Sequence, residues 1–583
     1  MNSVPPAAVL LFGAALVPLL PRFCRSIAFL LFSVVAFSLL VHLDIGSSIS
    51  LRFLGFDLVP MQVDRLSLAF GYVFVLIAFL GGIYSFHLNE TGQHVAALIY
   101  AGASLGVVFA GDLFTVFVYW ELMAVASVYL IFARRTEPFS RRAGMRYILV
   151  HLFGGNVLLA GILWHFVETS SIAFAPFDGG VGAYLILFSF SLNAAIPPLH
   201  AWLADAYPEG TVTGSVFLSA FTTKTAVYVL ARGFAGWDIL IWAGVIMAIY
   251  GVVFAVLEND IRRLLAYHII SQVGYMVTAV GLGTEVAING ATAHAFCHIL
   301  YKGLLFMGAG AVLYSTGQSK LTELGGLAQK LPIVLSLYMI GAFSISGFPL
   351  FSGFVSKSLT IHAAELRHEE VIVLLLYLAS VGTFLHTGLK LPYFTWFGPK
   401  SAIEPLPIPW NMYAAMVLAG AINVAIGVYP KLLYDLMPFP VVYRPYTIPH
   451  VIENLQLLAF TGLGFWLLLD KLGGKATITL DFDWFYRRPA PIVFRLAVLS
   501  LDRLFAAAEL IMSNFARRLA RACANPVEFA SRFLSRSSDR GARGLGGDAV
   551  FYDPNRYRPP VGFIILVVLS CFVVLLAWNL FAI

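Results

Sequence analysis

Residues 288–315 read INGATAHAFCHILYKGLLFMGAGAVLYS. The run is long enough to cross a bilayer as a helix, which takes about 20 mostly apolar residues. It nevertheless carries His294, His298 and Lys302 at i, i+4 and i+8. A helix sets such residues along one face, about 6 Å apart per step. An ionisable group at mid-membrane costs about 2.5–3.5 kcal/mol on insertion scales, so one that is kept reads as functional. Histidine titrates near neutrality and passes protons between its ring nitrogens. Two histidines leading to a lysine therefore read as a proton wire. Zinc would need a third ligand and none is near, while Lys302 would repel the cation, so no metal is expected.

The rest of the 583-residue chain is of the same kind. Apolar residues make up 60% and charged residues 12%, against about 25% charged in a soluble domain. Mean hydropathy is +0.85. A soluble enzyme, a secreted disulfide scaffold and a disordered chain are excluded. The net charge of +6 is too diffuse to imply nucleic acid. Cys24, Cys297, Cys523 and Cys571 lie far apart, without a disulfide or metal pattern. No P-loop is present, and Gly308 and Gly310 sit inside an apolar helix, so no cofactor is expected.

Reading for apolar runs predicts an all-α polytopic membrane protein with about sixteen transmembrane helices. They fall near 6–22, 27–46, 66–87, 93–110, 112–134, 144–167, 181–205, 212–234, 237–257, 264–283, 288–315, 332–350, 371–398, 409–429, 452–472 and 561–582. Residues 350–366 are too broken for a further span and read as a capping loop with a short helix. Basic residues gather in the odd loops, which the positive-inside rule makes cytoplasmic, with both termini outside. Residues 473–560 are rich in arginine. Phe494, Val498, Leu501, Phe505, Leu510 and Phe515 recur there at helical spacing, predicting an amphipathic surface helix. A Ser/Arg/Gly-rich stretch, 534–547, precedes the last span.

Other spans hold charges of their own. Glu121 lies in VYWELMAV, and Lys224 in the middle of SAFTTKTAVYVL. Burial penalises the charged form of either, so each is poised to exchange a proton. The blander readings are a helix–helix hydrogen bond for Glu121 and snorkelling for Lys224, which its central position disfavours. Lys390 lies in TFLHTGLKLPYF, with His386 four residues before it and Pro392 two after. In NAAIPPLHAWL, Pro197 and Pro198 interrupt a span containing Asn193 and His200. Proline removes a backbone donor and breaks a helix. Two broken helices about 195 residues apart suggest an internal repeat of the inverted kind found in transporters.

Together these residues resemble the antiporter-like subunits shared by Mrp-type cation/proton antiporters and respiratory complex I. The resemblance covers about residues 60–430. It rests on YWELM (119–123), PPLHAWLADAYPE (197–209), SAFTTKTAVY (219–228), NDIRRLLAYHIISQVGYM (259–276), HAFCHILYKGLLF (294–306) and SGFPLFSGFVSK (346–357). TTKTAVY and LKLPYF look most like the D-type subunits of Mrp antiporters. The resemblance implies two inverted five-helix repeats, each with a broken helix. It divides the chain into N-terminal helices (1–92), a first repeat (93–234), a second repeat (237–398), C-terminal core helices (409–472), the basic amphipathic segment (473–560) and a terminal transmembrane helix (561–583). It gives Glu121 to an ion-pair end, Lys224 to a central relay, His294 and His298 to the wire, and Lys390 to the second broken helix as terminal lysine. The surface helix followed by one more span resembles the lateral-helix subunit of complex I.

The family usually places a lysine where this chain has Asn193, and asparagine takes no proton near neutrality. Either Glu121 pairs with Lys224 or Arg146, or this half does not pump as the family does. His151 and His268 are further titratable groups. The expected function is a proton-translocating subunit of a multisubunit sodium/proton antiporter in the bacterial inner membrane. The alternative is a proton-pumping subunit of an NADH:quinone oxidoreductase or membrane-bound hydrogenase. A purely structural subunit, or a partner in inorganic-carbon uptake, would reuse the same fold. Expected partners are other membrane subunits, lipid, protons, and sodium or potassium.

Overall fold

A computed structural model describes residues 4–134, 137–399, 402–473, 475, 480–524, 526 and 561–581. The chain forms two compact units, Met1–Asp483 and Trp484–Ile583. The first opens with α1 (Pro6–Leu16) and α2 (Arg22–Val41), then a hairpin of β1 (Ser48–Phe53) and β2 (Phe56–Gln62), then α3 (Arg65–Tyr84). There follow α4 (Thr91–Phe109), α5 (Leu113–Phe132), α6 (Pro138–Thr169), α7 (Val181–Ala194), α8 (Ala201–Ala206), α9 (Gly214–Ala220) and α10 (Thr222–Gly233). Next come α11 (Asp238–Leu257), α12 (Ile261–Leu282), α13 (Glu285–Thr316), α14 (Pro332–Ser346), α15 (Ser352–Leu366) and α16 (Glu370–Thr383). α16 continues through π-helical turns at Phe384–Lys390 and Tyr393–Phe397. The unit closes with α17 (Trp410–Val428), α18 (Lys431–Tyr434), α19 (Ile448–Leu467) and α20 (Leu469–Leu472). Each of the expected apolar runs contains a helix. Among the described residues, eleven helices are long and apolar enough to cross a membrane, and four shorter apolar ones accompany them. The chain is a multi-pass integral membrane protein.

Acidic residues outside the apolar runs start several helices. Asp64, Asp112 and Asp260 accept hydrogen bonds from the first-turn amides of α3, α5 and α12, satisfying donors that a helix leaves open. Asp112 also accepts from Val59 N at 2.7 Å, which ties the β-hairpin to α5. That hairpin was not expected from the sequence. Its residues follow neither an apolar run nor a clean alternation.

α11 and α12 cross so closely that side chains are excluded from their contact. A Cβ on Gly274 would lie 2.5 Å from Gly244 O and 2.6 Å from Ala248 N. Both neighbours are backbone, so neither helix can yield locally. Small residues at a membrane helix interface permit this approach. Gly274→Ala is expected to lower thermal stability in detergent by about 1–3 kcal/mol, the usual effect of overpacking. An unchanged melting temperature would show that the helices separate freely.

The element order contains two successive sets of five. The first is α4, α5, α6, α7/α8 and α9/α10; the second is α11, α12, α13, α14/α15 and α16 with its π turns. The fourth member is broken in each. α7 ends at Ala195 and α14 at Gly347, both in the left-handed conformation. The first break is at the expected place, Pro197 and Pro198. The second is not. Residues 350–366, expected as a capping loop with a short helix, contribute the 15-residue α15, most of which is buried. Around Pro392 the helix widens rather than breaks: Leu391 N reaches back five residues to His386 O. This offsets the donor that proline lacks. Lys390 therefore lies in the fifth member, where the first set carries Lys224.

In the second unit, α21 (Asp483–Arg487), which begins on the last residue of the first, leads into α22 (Pro489–Ala524). α22 is a 36-residue helix, about 54 Å long. It carries all six apolar residues of the expected amphipathic pattern. The last helix, α23, spans Val561–Phe581. Arg135, Lys400, the stretch 534–547 and the arginines from Arg532 to Arg543 lie outside the described residues.

Candidate functional site

α13 runs through the core with His294, His298 and Lys302 fully buried. His294 Nδ1 lies 3.0 Å from Ser356 Oγ on α15. The rings of His294 and His298 are 6.2 Å apart, and His298 stands 5.2 Å from the Tyr301 ring. Neither nitrogen of His298 nor Lys302 Nζ has a hydrogen-bond partner among the described residues. Buried polar atoms are nearly always satisfied, so a line of open ones marks a place for exchangeable protons or water.

At the His294 end the line meets a residue that sequence reading missed. Lys357 follows Ser356 on α15 and is 3% exposed. Its Nζ donates to Ile345 O at 2.7 Å and stands 5.2 Å from the Tyr275 ring. Ile345 belongs to the last turn of α14, whose carbonyls the break leaves without helical partners. Lys357 was present in the quoted motif SGFPLFSGFVSK. A lysine between apolar residues in that motif was the signal that could have found it.

At the other end Lys302 lies within electrostatic range of Lys224. Lys224 is fully buried just past a second discontinuity, between α9 and α10. Its Nζ donates to Ser219 O at 2.5 Å and to Thr223 Oγ1 at 3.1 Å. Tyr100 OH fills the discontinuity, accepting from Thr222 N at 3.1 Å. Among the described residues, no carboxylate forms an ion pair with Lys224, Lys302 or Lys357. Unpaired ammonium groups are costly to bury. Three in one core are suited to trading protons rather than to holding the fold together.

The first half is arranged differently. Arg146 is held by Asp205 through two bonds of 2.6 and 2.8 Å, so it is not the partner of Glu121. Lys224 is committed to α9, as described above. Glu121 has no ion pair among the described residues, and its Oε1 is buried without a hydrogen bond. The carboxylate fits against α6 only because residue 155 is glycine, where a Cβ would overlap it. Asn193 lies at the end of α7, 2.9 Å from His151 Nδ1. His151 packs on Tyr147 and Trp202. His200, just past the break, meets Asp481, another residue that sequence reading missed.

The remaining expected residues form a branch of the second half. Tyr301 OH donates to Gln272 at 3.4 Å, and Gln272 donates to Thr383 at 3.3 Å. One turn away, the rings of His268 and His386 lie 5.5 Å apart. Lys390 Nζ donates to Val256 O at 2.6 Å and Glu258 O at 3.1 Å. Lys390 thus points to the end of α11 and not into the second break.

Comparison with known proteins bears on the family and the fold. Residues 110–384 match the family described as NADH:quinone oxidoreductase/Mrp antiporter, transmembrane. The chain is 30% identical over 428 residues to the A-type Na(+)/H(+) antiporter subunit of Alkalihalophilus pseudofirmus, covering 64% of this chain and 52% of that protein. It is 32% identical over 320 residues to the D-type Na(+)/H(+) antiporter subunit of the same organism, covering 51% of this chain and 64% of that one. The chain thus spans between half and two thirds of these relatives. The fold is similar to a chain of the Mrp complex from Dietzia sp. DQ12-45-1b, with TM-score 0.65, 23% identity, and coverage of 75% of this chain and 95% of that one. With its buried line of lysines and histidines set between two broken helices, the chain belongs to the NADH:quinone oxidoreductase/Mrp antiporter family of membrane proteins.

Proposed function

We propose that the chain is a proton-translocating membrane subunit of a multisubunit sodium/proton antiporter, working in the bacterial inner membrane beside other membrane subunits. The observation that carries this reading is the buried run Lys224, Lys302, His298, His294, Lys357. Among the described residues its lysines lack carboxylate partners, and it reaches both sets of five helices. A proton arriving at one lysine raises the electrostatic cost of a proton on the next, so the charge moves on along the row. Histidines relay it without changing place. Glu121 is the acidic terminus on α5, and Lys390 with His268 and His386 forms a side branch. Nothing in this row needs a cofactor in this chain. The ion that drives it is supplied or exchanged elsewhere in the assembly.

The test is proton flux. Inverted vesicles holding the chain with its neighbouring subunits would be followed with a pH-sensitive dye on addition of sodium, potassium or NADH. Sodium-evoked flux that falls at least about tenfold in Glu121→Gln and Lys224→Ala is expected. Lys390→Ala is expected to have a smaller effect. Flux evoked by NADH alone would move the chain to the redox-driven branch of the family. Equal flux in all variants would leave a structural subunit.

A further inference from the structure

Asp481 precedes the helices α21 and α22, yet its side chain is 1% exposed. Four donors converge on it, one of them the Phe482 amide, which donates to Oδ1 at 2.6 Å. His200 Nε2 lies 3.1 Å from Oδ1 and 3.2 Å from Oδ2, Tyr267 OH donates at 2.6 Å, and Tyr250 OH donates from α11. His200 is fully buried at the start of α8, and its other nitrogen, Nδ1, has no hydrogen-bond partner among the described residues. Among the described residues, it is the one fully buried histidine in salt-bridge contact with a carboxylate. His268, His294, His298 and His386 face neutral groups or lysines, and His151 faces Asn193.

The basic groups on the elements around the pair have partners of their own. From α6, Arg146 and His151 are taken by Asp205 and Asn193. From α12, Arg263 lies within electrostatic range of Tyr267 and pairs with Glu258 at 3.2 Å. Asp483 lies in range of Arg263. The Phe482 ring stands 5.9 Å from His200. Through Tyr267 the Asp481–His200 pair borders the Arg263–Glu258 ion pair, which lies beside Lys390.

We propose that Asp481 and His200 together hold a proton at the first break, Asp481 serving as counter-charge, so that the stretch leading into α22 gives the first half the titratable pair that Asn193 cannot provide. Protonated His200 against ionised Asp481 is neutral overall, which a buried site tolerates. His200 Nδ1 remains free to pass the proton on. Asp481 is a positioning residue, acting through His200. Only its effect on flux rests on the proton-conduction reading.

Infrared difference spectra with isotope-labelled histidine test the pair in the assembled complex without any transport. The His200 signal is identified by its loss in His200→Gln. Asp481→Asn is expected to lower the proton affinity of His200 at least about tenfold, the effect of losing an adjacent opposite charge. Asp481→Glu should restore it. An affinity unchanged within about twofold overturns the proposal, as does a His200 that does not titrate between about pH 5 and 9. Should Asp481→Asn not assemble, Tyr267→Phe takes its place. It removes a donor competing for Asp481, so an affinity raised about threefold supports the pair and an unchanged one overturns it. Sodium-evoked flux in the same variants is expected to fall at least about fivefold in Asp481→Asn and to recover in Asp481→Glu. A wild-type complex that titrates as described but conducts nothing refutes the function proposed above and leaves the pair standing.

Discussion

Lys357→Met is expected to abolish most sodium-evoked proton flux, by more than about tenfold, while the protein remains folded. Methionine keeps the length and apolar stem of the side chain but has neither proton nor charge. Among the described residues, the one hydrogen bond lost is that to Ile345 O, at 2.7 Å, together with the contact on the Tyr275 ring. Leaving that acceptor unmet costs about 1–3 kcal/mol. Removing an unpaired buried ammonium works in the opposite direction. The net change in stability should therefore be small, and a thermal shift in detergent checks it. Lys357→Arg sharpens the result. Arginine keeps the charge but does not release its proton, so it should be as inactive as methionine if proton exchange is the role. Active Lys357→Arg would reduce Lys357 to a fixed charge. Active Lys357→Met would remove it from the path.

Gly155→Ala should impair flux almost as severely as Glu121→Gln, although it changes no titratable group. The added methyl overlaps the Glu121 carboxylate. A carboxylate is the mobile end of a flexible side chain, whereas the α5 and α6 backbones are held by their neighbours. The carboxylate is therefore what moves. Elsewhere in a helix, glycine to alanine stabilises by about 0.5–1 kcal/mol. Loss of flux of about tenfold or more with an unchanged or raised melting temperature is thus the expected signature. If Gly155→Ala conducts normally and Glu121→Gln does not, the carboxylate works from more than one position. If both conduct normally, Glu121 lies outside the path.

The membrane character, the helices and their approximate limits were determined by the sequence alone. Hydropathy over a window records the cost of inserting that window, and insertion is local. The row His294, His298, Lys302 was equally local, since one helix face carries all three. The first break was announced by Pro197 and Pro198. The second carried no such pair, and the proline that was visible, Pro392, widens a helix where the reading expected a break. A missing donor can be met by a longer-range bond within the helix, so proline by itself does not decide between the two outcomes.

Tertiary structure alone decided which buried groups meet. It brought Lys224 on α10 within range of Lys302 on α13. It placed Lys357 at the end of the histidine row, gave Arg146 to Asp205 and left Glu121 without it. It also set His200 against Asp481, 281 residues away in the chain. None of these pairs has a periodicity, because they are formed by helices crossing at angles that side-chain packing sets, through contacts such as Gly244 against Gly274. The sequence shows that charged groups are retained inside the membrane; where each charge finds, or lacks, its partner is settled only by the packing of the helices that carry them.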